Sequence, residues 1–191
     1  MGALTLMRSV RFGVLPVLVF AMLAGCSRDK EFTALPDGAD MPVAHPGETA
    51  EKVARYAKEI GKVIGPRGRL DRTVVLPVPC GGEGSRRSVP GRNTELDSWW
   101  VSYSPYAESI DTFVELDSAD AIRPMLARLR DGLREAGWQI VEYAEDGGVL
   151  KAAAPEAGYG ATFEGLAPTS ERSPRIGVNV SSPCLRHPGA G

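Results

Sequence analysis

The chain has 191 residues, 22 Lys and Arg against 24 Asp and Glu, a formal net charge of −2, and 43% hydrophobic residues. That supplies enough apolar side chain for one core of ordinary domain size, and the charge balance excludes a global basic field of the kind that recruits nucleic acid. No segment reaches the ~20 consecutive apolar residues that a membrane-crossing helix needs.

The leader comes first. Arg8 and Arg11 give it a positive start, and no acid precedes Cys26. Residues 12–23 are apolar apart from Gly13 and Pro16. A run of about a dozen residues has the length of a signal-peptide core and is too short to cross ~30 Å of hydrocarbon. Leu23, Ala24, Gly25 and Cys26 then lead into the polar run Ser27, Arg28, Asp29, Lys30, Glu31. These residues resemble the lipobox of bacterial lipoprotein precursors. The resemblance implies that cleavage removes residues 1–25 and that the Cys26 sulfur, now at the first residue, carries a diacylglyceryl group. One acyl chain holds a protein only reversibly, at ~0.8 kcal/mol per buried methylene, whereas two give stable attachment. The expected address is the extracytoplasmic face of the cell membrane, with membrane lipid as the partner through acylated Cys26. Loss of Arg8 and Arg11 leaves 20 basic against 24 acidic residues, about −4 for the processed chain.

Residues 26–46 contain Pro36, Gly38, Pro42 and Pro46 with little apolar periodicity, and read as a flexible tether. A coil of about 20 residues spans roughly 25 Å. Residues 47–191 are then expected to form a single domain. It opens with a helix over residues 47–64, where Val53, Tyr56, Ala57, Ile60, Val63 and Ile64 share one face. Gly65 and Pro66 stop it. Lys52, Arg55, Lys58, Glu59 and Lys62 form the opposite, solvated face.

A short strand is expected over residues 72–78. A loop comes next over residues 81–93, where glycines and Arg86, Arg87 and Arg92 give weak anion-binding character without the lysine and hydroxyl of a phosphate-binding loop. Once Cys26 is assigned to lipid, Cys80 and Cys184 remain as an even pair in an oxidising compartment, and a Cys80–Cys184 disulfide is predicted. Zinc is the rival, because His187 lies three residues past Cys184. His45 in the tether is the only other histidine, which leaves too few ligands.

Residues 98–104 read as a strand. Trp99 and Trp100 are adjacent and so point to opposite sheet faces, which leaves one of them to be covered by a helix, a partner or a ligand. They are the candidate binding surface. Residues 110–116 continue as a strand or an irregular lead-in. A second helix spans about residues 119–136, with Ile122, Met125, Leu126, Leu129 and Leu133 as its apolar stripe. Pro124 fits only if the helix begins near it, and Gly137 suits a left-handed stop. Strands at 138–143, 149–154, 161–166 and 175–181 complete a two-layer α+β fold: a mainly antiparallel sheet of about five strands with two helices.

No catalytic constellation stands out. The two histidines lie in the tether and the tail, and the chain has no Gly-x-Ser-x-Gly elbow. Glu115, Glu142, Glu145, Asp146, Glu156 and Glu164 are carboxylates on strands or turns with the spacing of ordinary solvent-facing positions. No cofactor and no metal is expected. The tail Ser181, Ser182, Pro183, Cys184, Leu185, Arg186, His187, Pro188 and the step Gly137, Trp138 resemble small envelope lipoproteins of high-GC Gram-positive bacteria. That resemblance implies the anchor, the disulfide and the α+β fold, and brings no catalytic residue. The function expected is a non-catalytic binding or interaction module of the envelope, with an envelope protein or ligand as partner. The alternatives are a hydrolase using two convergent carboxylates and a carrier that holds an apolar ligand against the Trp99, Trp100 strand.

Overall fold

The computed structural model describes residues 41–66, 70, 73–80, 87–88, 101–144, 146 and 148–190. All of them belong to one compact unit, Leu35–Gly191.

Helix α1 (Pro46–Ile64) starts where the sequence changes from prolines to apolar periodicity. Pro46 takes the first helical position, where an N–H is not needed, and the His45 Nδ1 accepts the Gly47 N–H at 3.2 Å. Ala50, Val53, Ala57 and Ile60 are completely buried along its inner face. The edge strand β1 (Leu76–Pro79) is next. Its two prolines are tolerated because an edge strand needs hydrogen bonds on one side only. Strands β2 (Arg87–Ser88) and β3 (Tyr103–Ser104) pair as a small separate ribbon. Pro105, reached through a cis peptide, separates β3 from the long strand β4 (Tyr106–Glu115).

A single turn of 3-10 helix at Ala119–Ala121 leads into α2 (Ile122–Glu135). Pro124 therefore lies in the first turn, where its missing N–H has no partner to lose. At the other end the Trp138 N–H bonds the Leu133 carbonyl at 2.9 Å and the Gly137 N–H bonds that of Arg134 at 3.1 Å. This paired closure requires a left-handed residue, and Gly137 supplies it at φ +87°. Four strands then run consecutively: β5 (Gln139–Ala144), β6 (Val149–Ala153), β7 (Gly160–Leu166) and β8 (Arg175–Ser181).

The main sheet has six strands in the order β1-β4-β8-β7-β6-β5, and all neighbours are antiparallel. The fold is α+β with two helices, as expected, but the sheet has one strand more than the five anticipated. Helix α2 carries the chain from β4 to the far edge at β5. The meander then returns until β8 slots between β7 and β4, pairing Ile110 with Val180 and Val114 with Ile176. The core lies between this sheet and the helices, around Ile110, Leu126, Leu129, Leu133, Leu150 and Phe163, each at most 1% exposed. Burying such a side chain stabilises the fold by about 1.5–3 kcal/mol. The helices meet closely at Gly132, where an added Cβ would lie 2.5 Å from the Val63 Cγ1.

The structure departs from the sequence expectation in two places near the start of β4. The strand expected over residues 98–104 is described only from Val101 on, where Tyr103–Ser104 is β3, and the strand expected over residues 110–116 starts earlier, as Tyr106–Glu115. The last residues read as tether are also held by the domain: Met41 is 8% exposed, and Val43 forms a parallel bridge with Arg186.

Candidate functional site

One corner of the domain gathers the start of α1, the start of β4 and the C-terminal tail. Cys80, just after β1, is joined to Cys184 by a disulfide, with a Cα–Cα distance of 5.8 Å. The next residue, Leu185, exchanges backbone hydrogen bonds with Tyr106 at 2.7 and 2.9 Å. Arg186 then pairs with the incoming chain, donating its N–H to the Pro42 carbonyl at 2.9 Å and accepting the Ala44 N–H at 3.2 Å. The His187 N–H donates to the Ser104 Oγ at 3.1 Å. Tyr106 is fully buried in the middle of this stitching. Its hydroxyl donates to the Ala44 carbonyl at 2.8 Å and lies 3.5 Å from the Thr49 Oγ1, which itself donates to the His45 carbonyl at 3.1 Å. Burial pushes the Tyr106 hydroxyl up to about 12, so it remains a donor. The His187 ring meets the Tyr106 ring edge-on at 6.3 Å. Burial, and after it the neighbouring His45, hold His187 below its ordinary value.

Glu108 lies two residues along the same face of β4. It is 1% exposed. Its main chain is satisfied: the N–H donates to the Ser182 Oγ and the carbonyl accepts the Ser182 N–H, both at 2.9 Å. Its side chain is not, because neither carboxyl oxygen has a hydrogen-bond partner. Desolvation alone pushes this carboxyl up to about 7. A lone buried acid of this kind is a proton-holding group, and no described residue hydrogen-bonds it as the base or nucleophile of acid–base hydrolysis would.

Among the described residues no helix covers the opposite face of the sheet. From Asp111 outward it presents polar side chains around an exposed aromatic. The Asn179 amide donates to the Ser109 Oγ at 2.9 Å and to the Asp111 Oδ1 at 2.7 Å. Phe113 is 55% exposed, with the Arg175 guanidinium 4.4 Å above its ring. Lys151 and Glu142 pair at 2.8 Å further across.

Of the residues selected from sequence, Cys80 and Cys184 are brought together, and Cys26, Trp99 and Trp100 lie outside the described residues. Glu145 does too. The other carboxylates are dispersed: Glu156 pairs with Lys52 at 2.6 Å, Asp146 with Arg123 at 3.4 Å, and Glu115 and Glu164 are exposed on separate strands. Along the polar face of α1, Lys52 is engaged by Glu156 and Arg55 lies 5.6 Å from the Tyr56 ring. A shallow groove of about 550 Å³ between the helices is lined by Lys62, Val63, Arg128, Asp131, Gly132 and Glu135, with both signs of charge. Among the described residues no three His, Cys, Asp or Glu side chains converge to hold a metal ion, and no helix is long and apolar enough to cross a membrane.

Sequence reasoning passed over Glu108 and Tyr106. The available signal was phase, since Tyr106, Glu108, Ile110 and Val114 alternate on one face. No protein-family profile, no curated protein and no solved structure matches this chain.

Proposed function

We propose that the protein is a lipid-anchored module on the extracytoplasmic face of the membrane, where it binds an envelope component and does not catalyse a reaction. The observation that carries the address is the Cys80–Cys184 disulfide. Such bonds persist in oxidising compartments, and the lipobox-like Leu23, Ala24, Gly25, Cys26 supplies an attachment point 15 residues ahead of Met41. Binding is supported by the sheet face opposite the helices α1 and α2, where Phe113 is exposed among hydrogen-bonded polar side chains. An exposed aromatic with a polar surround has the composition of a contact surface. The dispersal of Glu142, Asp146 and Glu156, each engaged by a different cation, favours this reading over a carboxylate hydrolase.

The test of the address is metabolic labelling with a fatty acid, combined with membrane fractionation. The wild-type protein is expected to take up label and to pellet with membranes. Cys26→Ala is expected to lose the label and either become soluble or remain unprocessed. A correctly cleaved Cys26→Ala product that stays wholly on the membrane would overturn the anchor. For the binding surface, a photo-reactive residue in place of Glu115, exposed on the same sheet face as Phe113, is expected on the anchored protein to form a saturable cross-link that Phe113→Ala weakens. An unchanged cross-link in Phe113→Ala moves the contact elsewhere.

A further inference from the structure

The corner where the incoming chain, α1 and the tail meet contains a buried carboxyl group, that of Glu108, with no hydrogen-bond partner among the described residues. Glu108 faces the helix layer at the end of the sheet where β4 is stitched to the tail. Across from it on β1 is Pro77, which brings no polar side chain. On the tail side is Ser182, whose hydroxyl is already used by the Glu108 N–H and the Pro183 carbonyl. Among the described residues, the titratable and charged groups around this corner are Tyr106 on β4, His45, Glu48 and Lys52 at the start of α1, Glu156 and Tyr159 before β7, and His187 in the tail. Tyr106 gives its proton to Ala44, and Lys52 is spent on Glu156 at 2.6 Å. None of them perturbs Glu108, whose displaced acidity comes from burial alone. A neutral carboxyl is tolerated in such a place, but a carboxylate must find water or a cation. The seam that Tyr106, Ala44 and Arg186 close begins two residues along β4 from it.

We propose that Glu108 makes this seam a pH-sensitive latch, closed while its carboxyl is protonated and opened when the carboxyl ionises. Opening admits water beneath the first turn of α1 and loosens residues 41–45 from the tail. His187 acts in the opposite sense. Burial favours its neutral ring, so acid charges it and strains the same seam from the other side. The latch is tightest at pH values between the two titrations. It belongs to the folded domain and stands whether or not Cys26 carries lipid.

The test is amide hydrogen exchange on the full chain as a function of pH, corrected for intrinsic rates. The Ala44 and Arg186 amides report the seam, and the Trp138 amide, bonded to Leu133 at 2.9 Å, is the internal reference. Protection at Ala44 and Arg186 is expected to fall about tenfold or more between about pH 6 and pH 8 and to stay below that of Trp138, whose protection falls no further than global stability does. Glu108→Gln is expected to remove that alkaline fall, and His187→Gln to leave it in place. Flat protection over this range in the wild-type protein, or the same fall in Glu108→Gln, overturns the latch. Should Glu108→Gln fail to fold, carbon-13 titration of the Glu108 carboxyl in the wild-type chain decides instead. A midpoint near 7 supports the latch, and one near the ordinary 4.5 overturns it.

Discussion

Glu108 is an acid at a position that the pleat reserves for core residues. Its folded value of about 7 lies above the ordinary 4.5, so the folded state favours the protonated form. The stability it lends is fully present below pH 4.5 and is lost as pH rises through about 7. The difference corresponds to about 3 kcal/mol. Urea unfolding of the wild type is therefore expected to weaken by that order between pH 5 and pH 8, and Glu108→Gln to flatten this alkaline decline. An equal decline in both proteins would assign the effect to other groups. Trp138 offers a contrast. It is 3% exposed, packs edge-on against Tyr56 with ring centroids 5.3 Å apart, and its indole N–H has no hydrogen-bond partner. Trp138→Phe removes an orphaned donor along with some contact area. It is expected to cost at most about 1–2 kcal/mol, against about 3–5 for Trp138→Ala, as read by thermal unfolding. The alternation along β4 held the clue to Glu108, but an acid among Ser109, Asp111 and Thr112 reads locally as solvent-facing.

Both helices were legible because each is amphipathic with clear end signals. Residues 47–64 became Pro46–Ile64, and the Pro124 difficulty resolved when α2 began at Ile122. The stripe Leu126, Leu129, Leu133 is buried as the 3, 4, 7 spacing requires. Leu129→Ala is expected to cost about 2–5 kcal/mol, measured by denaturant titration. Gly132 acts at the same helix pair by being small. Gly132→Val would push against Val63, where even a Cβ comes within 2.5 Å, and is expected to cost about 1–3 kcal/mol. Strand β4 was less legible. Its centre is polar on both faces, through Glu108, Ser109 and Asp111, which hid a ten-residue strand behind two shorter expectations. On the open face those polar groups satisfy one another through Asn179, a pairing across 68 residues of sequence that local patterning does not reveal.

At the scale of the whole molecule, fold class and cysteine pairing were readable, whereas strand order was not. Antiparallel meander and two helices follow from composition and turns. The insertion of β8 between β4 and β7 depends on side-chain fit between strands far apart in sequence, such as Ile110 with Val180. The disulfide spans 104 residues, and in the chain-entropy account a loop of that size is worth about 4–5 kcal/mol. Reduction, or Cys80→Ser with Cys184→Ser, is expected to lower the calorimetric unfolding temperature accordingly. An unchanged temperature would show that the bond adds nothing beyond the seam around Tyr106. The parallel bridge between Val43 and Arg186 has one more consequence. The chain enters the fold at Val43 beside Arg186 of its tail, so a reporter carried on the tail begins its path next to residues 41–45. The β5 margin, at the other end of the strand order, is the place to put a label that must report on the rest of the body.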